Sequence, residues 1–192
     1  MDRKGPGRAG RARRLAAAAA ALGCAVPLAG CGVFGSGITI ATPSVMTVSS
    51  GAFLQGTMPH RYTCANTKVL TPPLGWAGAP PGTKSIALVL DDSSAPITPY
   101  VYWIVFDIRP ATSAIFEGQL PPGARQAQNS ARRAAYSPPC PGSRGHTYRF
   151  TVYALNAVPD LPAGTSLQSA WRAIAAATIG RGRLTVSATS SG

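Results

Sequence analysis

The sequence predicts a mainly β domain, an antiparallel β-sandwich with Greek-key-like connections and one C-terminal helix. Two apolar segments, Ser85–Leu90 and Tyr100–Ile108, have the composition of buried strands. A third segment, Thr147–Leu155, alternates on a period of two and is rich in aromatic and β-branched residues. Only Ser166–Ile179 has a helical pattern, and dense prolines exclude helices from most connections. Many strands with long turn-rich connections and one late helix are typical of a β-sandwich.

The elements in the first half of the domain are short or irregular, apart from one buried strand. Val45–Ser50 is predicted to form a first strand because apolar and polar residues alternate there. Repeated prolines and glycines in residues 53–82 predict ordered loops. Ser85–Leu90 then runs into Asp91 and Asp92, which point to opposite sides of an extended segment. We therefore do not expect these two carboxylates to act as a pair.

The segment Tyr136–Asn156 begins as a proline-rich turn and ends in the Thr147–Leu155 strand, with His146 at the junction. One interpretation is that a stiff loop delivers this imidazole to a strand end and forms a small polar pocket. The other is a proline-rich corner with a hydrogen-bonded histidine that has no binding role. Residues 111–135, which precede this segment, are predicted to be mainly loop.

The C-terminal helix is predicted over Ser166–Ile179, with Thr165 or Ser166 as its N-cap and Gly180 as its end. Arg183–Ala188 is then predicted to form a closing strand. The apolar side of the helix comprises Leu167, Ala170, Trp171, Ile174 and Ile179.

The first thirty residues have the organisation of a bacterial lipoprotein signal peptide. Six basic residues lie within the first fourteen positions, and the apolar segment Leu15–Leu28 is too short to cross a bilayer. Leu28-Ala29-Gly30-Cys31 resembles a lipobox, which predicts cleavage before Cys31 and a diacylglyceryl thioether on its sulfur. The alternative is an ordinary signal peptide with a cysteine at this position by chance.

This leader divides the chain into a signal peptide over residues 1–30, a tether over 31–44 and a domain over 45–192. We expect the domain to be attached to the cell membrane through the Cys31 lipid, on the extracytoplasmic face. The leader holds six basic residues and one aspartate, so the formal charge of +12 falls to +7 without it. The remaining basic residues are scattered along the domain, which argues against a nucleic-acid partner.

Cys64 and Cys140 remain once the leader and the lipidated cysteine are set aside. In an exported protein, two remaining thiols favour a disulfide, which would add about 4 kcal/mol of stability in the chain-entropy account. A Cys–His metal site is the alternative, but His60 and His146 show no ligand spacing. We expect a disulfide, with no metal or other cofactor.

Six motifs follow one another along the domain. They are Pro59-x-Arg61-Tyr62-Thr63-Cys64, Pro72-Pro73-Leu74-x-Trp76, Gly82-Thr83-Lys84-Ser85, Asp92-Ser93-Ser94-Ala95-Pro96, Tyr102-Trp103, and Pro139-Cys140-Pro141 followed by His146-x-Tyr148-x-Phe150 and Tyr153-Ala154-Leu155. In this order they resemble the phosphatidylethanolamine-binding protein family, in its bacterial Raf-kinase-inhibitor-like branch. The resemblance covers about residues 53–185 and implies a Greek-key β-sandwich with short peripheral helices.

The resemblance also implies a small anion site at one end of the sandwich, which takes phosphate-like head groups. Carried over by position, the ligand-binding residues are Asp92, Tyr102, Pro139, Pro141, His146 and Tyr148. An imidazole and phenol hydroxyls can donate to anion oxygens, and a nearby carboxylate can orient a donor.

Two departures from the family pattern affect this site. The second aspartate of the family is Ser94 here and its proline is Ser93, while Tyr102 takes the place of the histidine before the tryptophan. Because that carboxylate normally supports that imidazole, the two changes suggest a matched pair. A tyrosine hydroxyl still donates a hydrogen bond, so the site either keeps anion binding in an altered form or keeps only its shape.

We therefore expect a lipid-anchored extracytoplasmic protein that binds a small anion or a phospholipid head group. The alternative is a protein-interaction or protease-inhibitor module, because family relatives inhibit kinases or serine proteases. A hydrolase would need a placed nucleophile and base, and the sequence has no G-x-S-x-G motif. We expect no enzymatic activity.

Overall fold

The computed structural model describes residues 42–95 and 98–189 of the chain. These residues form two β-sheets, one α-helix and two short 3-10 turns, at Leu54–Gly56 and His60–Tyr62. The predicted signal peptide, Cys31 and most of the predicted tether lie outside them, although Ser44 at the end of that tether begins the first strand. The regular elements are β1 (Ser44–Val45), β2 (Thr47–Ser49), β3 (Leu74–Ala77), β4 (Ser85–Asp92), β5 (Tyr100–Ile108), β6 (Ala114–Ile115), β7 (Arg125–Gln126), β8 (His146–Leu155), α1 (Leu167–Ala177) and β9 (Thr178–Ala188).

The larger sheet has the strand order β1-β9-β8-β4-β5-β7, and the smaller sheet has the order β2-β3-β6. Within the described ranges, the named strands pair antiparallel except β1, which runs parallel to β9. The predicted mainly β class is therefore confirmed. The Greek-key arrangement of the connections remains a prediction.

Alternating side chains explain why the larger sheet is covered on both faces. Leu88 of β4 and Phe150 of β8 share a buried cluster with Trp76 of the smaller sheet. Val89, the next residue of β4, belongs to a second cluster that includes Ile174 of α1. Because successive strand residues point to opposite faces, β4 has no solvated face and appears in the sequence as a continuous apolar run. We call the face against the smaller sheet the inner face, and the face against α1 the outer face.

The prediction of one continuous strand over Val45–Ser50 is wrong. The structure divides this segment into β1, which pairs with β9 of the larger sheet, and β2, which pairs with β3 of the smaller sheet. Met46 lies between them, buried, and its backbone N–H donates to the Arg181 carbonyl at 2.9 Å. The chain therefore passes from one sheet to the other within a stretch that the alternation alone predicts to be continuous. Residues 111–135, predicted to be mainly loop, contain the two-residue strands β6 and β7.

The start of α1 agrees with the prediction. The Ser166 hydroxyl oxygen accepts a hydrogen bond from the backbone N–H of Ser169 at 3.1 Å and so caps the helix. Trp171, predicted on the apolar side, is 44% exposed. The helix residues that are buried are Ala170, Ile174 and Ala177.

Among the described residues, no helix has both the length and the hydropathy that crossing a membrane requires.

The prediction that Gly180 ends the helix is wrong. Thr178 has an extended backbone and already pairs with Leu155 of β8, so β9 begins two residues before Gly180. The closing strand is longer at its start than the predicted Arg183–Ala188. Pairing with the long strand β8 supplies hydrogen bonds that a helical continuation would lose, and it decides where the helix ends.

A disulfide joins Cys64 and Cys140, as the sequence predicts. The same two segments are also held by non-covalent bonds. The Cys64 backbone N–H donates to the Pro139 carbonyl at 2.9 Å, and the Tyr136 hydroxyl donates to the Tyr62 carbonyl at 2.6 Å. The proline-rich loop that leads to β8 is therefore fixed to the segment after the second 3-10 turn.

Candidate functional site

Strand register brings most of the candidate side chains to one end of the larger sheet. Asp92, the last residue of β4, is paired with Tyr148 of β8 on one side and with Tyr100 of β5 on the other. His146 lies two positions before Tyr148, on the same side of β8. Tyr102 lies two positions after Tyr100 on β5. Four of the predicted ligand-binding residues are thus neighbours in the fold.

Asp92 and His146 are in direct contact. The Asp92 Oδ2 atom lies 2.6 Å from His146 Nδ1, and Oδ1 accepts a hydrogen bond from the Ser94 backbone N–H at 2.7 Å. The carboxylate side chain is 4% exposed, whereas the imidazole is 38% exposed. Because a buried carboxylate requires hydrogen-bond donors, Nδ1 carries the proton in this pair. The other ring nitrogen, Nε2, is left to bind another group.

Tyr102 and Tyr148 complete the group. The two rings meet edge to face with centroids 5.7 Å apart, and the His146 ring stacks on Tyr148 at 6.2 Å. Burial, reinforced by the charge of Asp92, raises the pKa of the Tyr102 hydroxyl to about 12. Burial and the neighbouring Tyr102 also raise the pKa of the Tyr148 hydroxyl. Both phenols are therefore protonated at neutral pH and can donate hydrogen bonds.

The Tyr148 hydroxyl is buried, and its interaction with the Tyr102 hydroxyl contributes to its raised pKa, but no described residue forms a hydrogen bond of normal geometry with it. The rest of the side chain is fully buried as well. An unsatisfied buried polar group costs about 1–3 kcal/mol and needs a specific explanation in a native fold. A bound acceptor, such as an oxygen atom of an anion, would supply the missing partner.

The turn after β4 is fastened to the start of β8 by the two serines that depart from the family pattern. The Ser93 backbone N–H and hydroxyl both donate to the Thr147 carbonyl, at 2.9 Å and 3.0 Å. The Ser94 hydroxyl accepts from the Thr147 backbone N–H at 2.8 Å. These serines hold the Asp92 end of β4 against the strand that carries His146. Sequence reasoning missed this role, because the bonds join residues more than fifty positions apart.

Pro139 and Pro141 are not joined to the group by any hydrogen bond or ring contact among the described residues. Pro139 is buried and its carbonyl bonds to Cys64, while Pro141 is half-buried. Their role as a wall of the site remains a prediction. The part of the chain that the structure describes also holds no cluster of three or more His, Cys, Asp or Glu side chains able to bind a metal.

Asp91 turns away from this site, as the alternation along an extended strand predicts. Its carboxylate accepts two hydrogen bonds from Arg149, one of them from Nε at 3.1 Å. Asp91 and Asp92 therefore bind different partners on opposite faces of β4. The prediction that the two carboxylates do not act as a pair is confirmed.

Comparison with known proteins points to one family. The family model for phosphatidylethanolamine-binding proteins matches residues 48–189. A UPF0098 protein of Mycobacterium tuberculosis is 42% identical over 183 residues, which cover 94% of this chain and 83% of that protein. A second M. tuberculosis protein, named as a candidate lipoprotein (LppC), is 39% identical over 142 residues, which cover 72% of this chain and 70% of that protein.

Two solved structures share the fold. The crystal structure of a candidate phosphatidylethanolamine-binding protein homolog from Chlamydia trachomatis aligns with a TM-score of 0.67 and 29% identity, over 75% of this chain and 97% of that chain. Escherichia coli YbcL aligns with a TM-score of 0.66 over 76% of this chain and 99% of that chain, and at 23% identity it supports the fold alone. Since the family match spans nearly all of the described domain, the chain belongs to the phosphatidylethanolamine-binding protein family.

Proposed function

We propose that this protein binds a small anionic ligand, a phosphate or the phosphate of a phospholipid head group, at Asp92, Tyr102, His146 and Tyr148. The observation that carries the proposal is the buried Tyr148 hydroxyl, which forms no hydrogen bond of normal geometry among the described residues and lies beside a histidine held by a buried aspartate. A phosphate oxygen would accept this hydrogen bond and remove the cost of burying the group unpaired.

For the site to accept an anion, the negative charge of Asp92 has to be offset. Asp92 alone would repel a phosphate, and the repulsion is stronger in a partly buried site than in water. An imidazole protonated on both nitrogens would offset the Asp92 charge through Nδ1 and would offer Nε2–H to the ligand. Tyr102 and Tyr148 add two neutral donors. Three donors suit a phosphate, which accepts hydrogen bonds at several oxygens.

We also propose that the domain acts at the extracytoplasmic face of the cell membrane, anchored by a lipid on Cys31. The lipobox-like Leu28-Ala29-Gly30-Cys31 supports this, as does the candidate-lipoprotein name of the M. tuberculosis relative. A diacylglyceryl group carries two acyl chains, and two chains are enough for stable anchoring. The anchor would hold the site within reach of phospholipid head groups.

Ligand titration with thermal unfolding as the readout tests the binding proposal. Phosphate and phosphorylethanolamine, added at constant ionic strength, should raise the unfolding midpoint in a saturable way, because a ligand that binds only the folded state stabilises it. His146→Ala should abolish the shift. Tyr148→Phe should weaken binding about tenfold, which corresponds to losing one hydrogen bond to a charged group. His60→Ala removes the only other histidine and is the matched control, with an unchanged response.

The possible outcomes separate the candidate functions. An unchanged midpoint shift in both His146→Ala and Tyr148→Phe would locate the anion elsewhere and overturn the proposal. A stronger response to phosphorylethanolamine than to phosphate would identify a lipid head group as the ligand. If neither compound binds and the His146→Ala protein inhibits a secreted protease, the protein-interaction alternative is correct.

A further inference from the structure

A cavity of about 380 Å³ lies beside α1 on the outer face of the larger sheet. Its lining includes Val89, Arg149 and Tyr153, which belong to strands β4 and β8, together with Trp171 of α1. Asp92 and His146 do not belong to this lining. The volume is in the range of pockets that bind small organic ligands.

Apolar side chains form one side of the cavity. Val89 and Val101 are buried on the outer face and belong to the cluster that packs against α1. The Tyr153 and Trp171 rings meet at right angles with centroids 6.0 Å apart. Trp171 is nevertheless 44% exposed, because it borders the open cavity rather than the packed core. A large aromatic surface is thus available to a ligand at this wall.

Basic side chains form the other side. Three arginines, Arg149, Arg181 and Arg183, line the cavity with a single carboxylate, Asp91. Arg149 donates two hydrogen bonds to Asp91, so these two charges offset each other. The positive charges of Arg181 and Arg183 remain at the cavity, because neither side chain forms an ion pair among the described residues.

Arg181 and Arg183 lie two positions apart on β9 and share one face of that strand. The Arg183 Nε donates to the Thr151 hydroxyl at 3.0 Å, which fixes this side chain beside the cavity. Burial raises the pKa of the Tyr153 hydroxyl, and the charges of both arginines oppose that rise. Both positive charges therefore act on the same aromatic wall.

We propose that this cavity binds an amphipathic organic anion, with its carboxylate or phosphate group at Arg181 and Arg183 and its apolar body against Val89, Val101 and Trp171. Guanidinium groups bind both kinds of anion through paired N–H donors. Fatty acids and lysophospholipids share this chemistry. The site is separate from the proposed phosphate site, since the two lie on opposite faces of the same sheet.

Tryptophan fluorescence provides a direct readout, because Trp171 is exposed while Trp76 and Trp103 are 6% and 0% exposed. Decanoate and decyl phosphate, titrated below their micelle concentrations, should change the emission in a saturable way. Decanol and acetate, which each lack one half of the required chemistry, should bind at least tenfold more weakly. The decanoate and decyl phosphate affinities then distinguish a free fatty acid from a phosphate ester as the preferred ligand.

The double variant Arg181→Gln with Arg183→Gln should weaken decanoate and decyl phosphate binding at least tenfold. Arg109→Gln with Arg133→Gln is the matched control, because it makes the same charge change at two exposed positions outside the cavity and should bind normally. His146→Ala should also bind normally, which separates this site from the proposed phosphate site. Circular dichroism of each variant verifies folding.

Three results would overturn the inference. Wild-type affinity in the Arg181→Gln and Arg183→Gln protein would mean that the arginines do not bind the anion. Equal affinity for decanol would mean that the cavity selects only apolar surface. A loss of the signal in His146→Ala, with the arginines intact, would assign the fluorescence change to the phosphate site.

Discussion

Both carboxylate oxygens of Asp92 have a partner, one in the Ser94 backbone N–H and the other in the His146 imidazole. A buried carboxylate is tolerated only with such partners, so the pair stabilises the sheet end as well as forming the proposed site. Only the resemblance to a family predicted that these two residues meet. They are 54 positions apart in sequence, and the register of β4 with β8 brings them together.

At the scale of single residues, the Tyr102 hydroxyl predicts how the free energy of unfolding depends on pH. Its hydroxyl has a pKa of about 12 in the folded protein, above the usual value of 10.0. The unfolded chain therefore releases this proton at lower pH than the folded chain does, and the free energy of unfolding falls as the pH rises above 10. Tyr102→Phe removes this contribution. The variant should therefore lose less stability than the wild type when the pH rises from about 9 to about 11. Urea unfolding at both pH values measures the difference, and equal losses would contradict the assignment.

At the scale of elements, the crossing of the chain between the two sheets depends on a close approach of two backbones. A Cβ atom at Gly182 of β9 would lie 2.4 Å from the Met46 carbonyl oxygen. Met46 is the residue at which the chain leaves β1 for β2. Only glycine leaves room for this passage, because the atoms in conflict are backbone atoms that cannot rotate away.

Gly182→Ala should therefore lower the free energy of unfolding by about 1–3 kcal/mol, the usual cost of inserting an atom into a packed site. The expected cause is displacement of Met46 and loss of its hydrogen bond to the Arg181 carbonyl. Gly51→Ala is the matched control, since a Cβ there meets no atom within 4 Å and the change should stay within about 0.5 kcal/mol. Urea midpoints at an unchanged m-value measure both effects. Equal stability of the two variants would mean that the passage has room for a side chain.

The long strands and the short strands differ in how well the sequence predicts them. Tyr100–Ile108 is predicted with its observed bounds, and β8 within one residue, because long strands between two packed layers have unmistakable composition. The two-residue strands β6 and β7 are missed, since two residues cannot show a period. Gly180 misled the helix prediction because tertiary pairing of β9 with β8 overrode a local signal. The outer-face cavity was not predicted either, since it depends on how α1 packs.

At the scale of the whole molecule, the disulfide connects two segments that are 76 positions apart in sequence. Backbone and side-chain hydrogen bonds hold the same segments together, from Cys64 to Pro139 and from Tyr136 to Tyr62. The folded state can therefore keep its geometry without the covalent bond. The main effect of the disulfide should be to restrict the unfolded chain, and this restriction grows with the length of the closed loop.

Reduction of the disulfide should accordingly lower the free energy of unfolding by about 4 kcal/mol in the chain-entropy account, with the folded spectrum unchanged. Urea unfolding with and without a reductant measures this loss. The Cys64→Ser and Cys140→Ser double variant should match the reduced protein and show no further response to reductant, which controls for any effect at Cys31. Loss of the folded circular dichroism spectrum on reduction would mean instead that the hydrogen bonds between the two segments form only when the covalent bond holds them together.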